Sequence, residues 1–136
     1  LPKDDKGVVA IVREILSLQA PVIVLLERIA PGFPGTGKVQ MAKLYGNYRM
    51  VRGILVALGC QVGEAMAARW QSTIGVPRMV TRGKSKHFKR KAGKEYKRRL
   101  KERAQELFPE CKVTLKTADA LLLAECCRRH YEELKG

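Results

Sequence analysis

The chain has 136 residues, 46% of them hydrophobic, which gives room for one domain with a real core. No run approaches the roughly 20 apolar residues of a membrane-spanning helix, and the opening LPKDDKG lacks the basic and apolar regions of a secretory signal. A membrane protein is therefore not expected, and a soluble, intracellular one is. Net charge is +14, and its placement says more than its size. Residues 77–103 hold 13 Lys and Arg against Glu95 and Glu102. So dense a positive block is the electrostatic footprint of a nucleic-acid binder. Cys60, Cys111, Cys126 and Cys127 show no C-x2-C spacing, so zinc is not expected and reduced thiols are.

In chain order, Asp4 or Asp5 caps a first helix with Val8, Ile11, Ile15 and Leu18 on one face. Pro21 stops it. Residues 22–27 then read as a fully buried strand, rich in β-branched side chains, that ends in the acid Glu27. Open α/β sheets place their sites at the carboxyl ends of strands, which makes Glu27 a candidate. A Pro/Gly-rich loop follows, and then a helix from about Lys38 to Leu58 with Leu44, Tyr48, Val51, Leu55 and Leu58 at helical spacing. Gly46 and Gly53 weaken that helix, so they are expected at close packing or at a ligand. Gly59 is the expected stop.

Gln61–Ala65 reads as a short strand, parallel to the first because a long helix connects them. A short helix or turn around Ala67–Ile74 carries the only tryptophan, Trp70. The basic stretch Pro77–Gly93, broken by Pro77, Gly83 and Gly93, reads as a mobile loop that orders on a polyanion. Tyr96, Leu100, Ala104 and Leu107 form the apolar stripe of a helix over 94–108, and Thr117 is a suitable cap for a last helix.

Two chemistries compete for the loop after the first strand. Gly32, four residues, then Gly37 and Lys38 approach a phosphate loop between strand and helix. Val39, however, stands where a Mg²⁺-binding Ser or Thr belongs, and Pro31 and Pro34 remove donors at or near the cradle. Nucleotide binding is therefore the third reading. Glu27 as a ligand of Mg²⁺ needs a partner acid. Asp119, between two alanines in the first turn of the last helix, is the best candidate.

The ordered set VLLE with its glycine-rich sequel, GILVALG, the tryptophan turn, the basic segment and ADALLLA resembles the RuvC-type Holliday-junction resolvases. These belong to the ribonuclease H-like nuclease superfamily, and the likeness is to the phage and chloroplast-type branches, from about residue 6 to the end. The resemblance implies an α/β, ribonuclease H-like fold present from its first core helix onward, with the first three strands and their Asp absent. The chain would be one such domain, 1–136, N-terminally incomplete, with the basic loop 77–93 inside it. The resemblance further implies a Mg²⁺- or Mn²⁺-dependent endonuclease that cuts four-way DNA junctions and acts as a homodimer, in a bacterial or phage-infected cytoplasm or an organelle.

Residue by residue, Glu27 and Asp119 would be metal ligands, Lys97 would lie near the scissile phosphate, and Phe33 would enter the junction as a wedge. Lys38, Arg82, Lys84, Lys86, Lys89, Arg90, Lys91, Lys94 and Arg98, with Lys97, are the expected DNA contacts. The family pattern is broken at Leu115 and Lys116, where it has Asp or His, and at Gln71, where it has a second lysine. A catalytically degenerate DNA-binding protein of the same fold is the alternative reading.

Overall fold

The computed structural model describes residues 4–18, 22–29 and 37–134, which fall into two compact units, one reaching Ala65 and the other spanning Met66–Leu134. In the first unit, the Asp4 carboxylate accepts the Gly7 amide at 2.6 Å and starts helix α1, Asp5–Leu18. The buried face of α1 is not the expected one. Val8 and Val12 are buried and Leu16 packs against them, while Ile11, Ile15 and Leu18 are exposed. Spacings of four and of three are both helical, so the sequence pattern fits two neighbouring faces and packing chooses between them.

Strand β1, Ile23–Glu27, pairs in parallel with β2, Gln61–Ala65, so that Ile23 lies opposite Gln61 and Glu27 opposite Ala65. The sheet is α/β in character and small, with two strands among the described residues. β1 is not fully buried as expected. Leu25 alone of its residues is buried and Ile23 is exposed, because a two-stranded sheet offers little surface to cover both faces. Helix α2, Lys38–Ala57, joins the strands and packs through Met50, Val51, Ile54 and Leu55 onto Val8, Val12 and Cys60. Leu44 stays exposed. Gly46 and Gly53 do not serve close packing among the described residues, since a Cβ at either would meet nothing within 4 Å.

The end of α2 follows its signal. Gly59 has φ +81°, its amide donates to the Val56 carbonyl at 3.0 Å, and the Cys60 amide reaches back to Leu55 at 3.0 Å. This pair of bonds satisfies carbonyls that a helix end leaves open, and the left-handed backbone is cheap only for glycine.

In the second unit, helix α3, Ala67–Thr73, buries Trp70 completely and ends in the same device. Gly75, at φ +86°, donates to Ser72, and Val76 donates to Gln71. Helix α4 runs over Lys86–Leu107, eight residues longer at its start than the apolar stripe predicts. Half of the expected mobile loop is thus helix. The Ser85 hydroxyl accepts the Phe88 amide at 3.1 Å as an N-cap, and Ala92 is buried, so the first two turns have both a start and an anchor. Gly93 costs that helix about 1 kcal/mol and does not break it.

Leu100 and Ala104 continue the buried face of α4 towards α5, Ala118–Leu134. α5 begins directly after Thr117, as expected, and a second threonine supports the entry. Thr114 and Thr117 exchange bonds, each hydroxyl accepting the other's amide, at 3.2 and 3.0 Å. Ala118, Leu122 and Cys126 line the buried side of α5, and the backbone leaves helical geometry at His130.

Candidate nucleic-acid interface

The chain turn after α3 positions the first charged group. Gln71 is 3% exposed, and its Oε1 accepts the Arg78 Nε–H at 3.0 Å. The segment carrying Arg78 is pinned to α4 at two carbonyls. Tyr96 Oη donates to Val76 at 3.1 Å and Arg103 Nε to Ile74 at 3.2 Å. Between this segment, α4 and the start of α5 lies a pocket of about 310 Å³ whose lining includes Arg78, Lys89, Tyr96, Lys97 and Asp119.

Asp119 is the carboxylate of that pocket. The protein walls desolvate it and raise its pKa above the ordinary aspartate value, while the nearby Lys97 and Arg78 charges pull it back down. Two cations beside one acid form an arrangement that can receive a phosphate and hold a divalent ion with it. Lys97 and Asp119, each singled out separately in the sequence, line the same pocket. Arg78 was missed. Its signal was Gln71: an amide next to Trp70 on a packed helix needs a donor, and Arg78 is seven residues on.

Along α4, Lys86, Arg90, Lys94, Lys97 and Lys101 are all exposed and spaced by four, four, three and four residues. That spacing puts them on one face. At 1.5 Å per residue they span about 22 Å, the length of several backbone phosphates. Lys101 adds to the expected contacts. Arg98 is engaged elsewhere: it grips Glu95 with two nitrogens, at 2.5 and 3.1 Å, and also pairs with Glu102. Lys89 and Lys91 are exposed on the same helix, and Lys84 holds its ammonium 5.7 Å from the Phe88 ring centroid, a cation–π contact. Arg82 is exposed in the loop before Ser85.

In the first unit, Glu27 closes β1 as expected and is exposed. It and Asp119 belong to different units. Lys38 opens α2, exposed; Phe33 and the residues from Pro31 to Thr36 lie outside the described residues. Within the first unit, Glu64 of β2 accepts Arg52 Nε at 2.8 Å. Burial first, and then the Glu64 carboxylate, push the Tyr48 hydroxyl up to about 12.

Among the described residues no group of three or more His, Cys, Asp or Glu side chains could hold a metal ion. Among the described residues, neither unit by itself carries the carboxylates of a two-metal site. No described helix is long and apolar enough to cross a membrane. Compared with known proteins, the chain matches no family model and no curated sequence.

Proposed function

We propose that the protein binds branched DNA along the cationic face of α4 and acts there as a Mg²⁺-dependent, RuvC-type endonuclease of ribonuclease H-like fold. The observation that carries this reading is one pocket that holds Asp119, Lys97 and Arg78 beside a stripe of exposed cations. Lys86, Arg90, Lys94 and Lys101 hold the backbone and set its register without reading sequence. Lys97 and Arg78 place positive charge on the phosphate that enters the pocket, Arg78 being aimed by Gln71. Asp119 would be the protein's ligand to the ion. Bound Mg²⁺ would supply Lewis acidity at the phosphoryl oxygens and an activated water. Homodimerisation through α2 belongs to the same proposal, since a four-way junction is nearly twofold symmetric; its support is the exposed Val39, Leu44 and Tyr45.

The second reading, a DNA-binding protein without cleavage, is favoured by the single carboxylate of the pocket. Incubating a labelled four-way junction with the protein and Mg²⁺ or Mn²⁺ separates the two. Cleavage that Asp119→Asn abolishes while junction binding persists supports the nuclease. Tight, salt-sensitive binding with no cleavage under either metal replaces it with the binder. Binding that does not respond to salt excludes both, because each neutralised phosphate contributes about 0.9 to the log–log slope.

A further inference from the structure

We propose that the groove beside Phe88 is a stacking platform for one unpaired nucleobase at the branch of the DNA, a role that rests on the nucleic-acid reading above. Phe88, 38% exposed in the first turn of α4, Met79, 41% exposed in the preceding loop, and Ala92 form its apolar floor. The groove encloses about 500 Å³. A partly exposed aromatic ring within the most basic stretch of the chain offers a surface on which a base can stack.

The rim says what kind of occupant fits. Lys91 and Lys94 border the groove three residues apart, about 4.5 Å along the helix axis, within reach of the phosphates on either side of a single nucleotide. Glu95 also borders it, but its carboxylate is held by Arg98, so the acid presents little repulsion to a phosphate. Lys94 belongs both to this rim and to the cationic stripe. A backbone tracking the stripe therefore passes the groove, and one base turned out of its stack reaches Phe88. Lys84 holds its ammonium 5.7 Å from the Phe88 centroid but does not line the groove. Neither an apolar peptide nor a lipid tail suits so cationic a rim. A base, flat and joined to two phosphates, matches floor and rim together.

The test uses the full chain and two oligonucleotide substrates of equal length. One is a four-way junction with 2-aminopurine unpaired at the crossover; the other is a duplex with 2-aminopurine paired. Phe88→Ala is expected to weaken junction binding by roughly 5- to 100-fold, the worth of one base–aromatic stack, and to leave duplex binding unchanged. Phe88→Trp should retain affinity and quench the 2-aminopurine of the junction. Retained helical circular dichroism checks that the variants fold, as removal of a partly exposed ring should permit. Equal losses on both substrates, or no loss on the junction, would overturn the platform. Salt-dependent duplex binding beside a Phe88-indifferent junction would overturn the platform alone, whereas salt-independent binding by the wild type would remove the nucleic-acid reading and the platform with it.

Discussion

The Arg78 Nε–H is bonded to the Gln71 Oε1 at 3.0 Å, so a nearly buried amide aims a guanidinium into the pocket that holds Asp119. The bond fixes one of the two cations that act on that carboxyl; Lys97 is the other. Removing Arg78 leaves desolvation less opposed. Arg78→Ala should therefore raise the Asp119 pKa further, seen as a shifted carboxyl titration by NMR in metal-free buffer. It should also lower the magnitude of the salt slope of DNA binding by about 0.9. Gln71→Leu should weaken binding in the same direction by releasing the guanidinium, with the charge itself retained. An Asp119 titration that does not respond to Arg78→Ala would separate the two groups functionally.

The cations of α4 should not be equivalent. Lys86, Arg90, Lys94 and Lys101 stand exposed on one face, while Arg98 is engaged by Glu95 and Glu102. Substituting any one of the four by Ala should reduce the magnitude of the salt slope by about 0.9, whereas Arg98→Ala should leave it nearly unchanged. The same loss at Arg98 as at Lys94 would mean that its ion pairs open on binding.

Acid should loosen the second unit through Glu125. Its carboxylate accepts Arg128 at 2.8 and 2.9 Å and is also paired with Arg129. The Arg128 bonds are the main cause that holds its pKa down at about 2, against the usual 4.5. The folded state therefore binds this proton less readily than the unfolded state. Its contribution is complete above about pH 4.5 and is lost as pH falls toward 2. Glu125→Gln should cost about 1–2 kcal/mol at neutral pH, since both arginines can return to water. The variant's denaturation midpoint should also be less sensitive to pH between 5 and 2.

Two glycine substitutions should move stability in opposite directions. Gly46→Ala lies within α2, with nothing within 4 Å of the added carbon, and should stabilise by about 0.5–1 kcal/mol in chemical denaturation. Gly59→Ala has equal space but sits at φ +81°, where an L side chain is strained, and should cost about 1–2 kcal/mol. A loss at Gly46 would indicate a contact made only in an assembly or with a ligand.

Much of the architecture was legible because its causes are local. The apolar run 22–27, the Gly59 stop, the short strand 61–65 and the position of Trp70 each depend on neighbours within a few residues, and each is present, with shifts of a residue or so at the ends. The start of α4 was hidden because Gly83 and Gly93 read as breakers, while Ser85 is an inconspicuous cap. The buried face of α1 was misplaced because its apolar residues satisfy two helical stripes. The choice was made by α2, which returns about forty residues later.

The sequence by itself determined the alternation of helix and strand, the parallel pairing of β1 with β2 and the concentration of positive charge in residues 77–103. Periodicity, caps and composition act over one or two turns, so one chain read linearly contains them. Only the tertiary structure decided how the charges of the pocket are set: Gln71 aims Arg78 into it, and Lys97 is left beside Asp119. A charge's availability depends on what packs within a few ångströms of it. Where that neighbour comes from another element, as Asp119 of α5 meets Lys97 of α4, sequence distance carries no record of it.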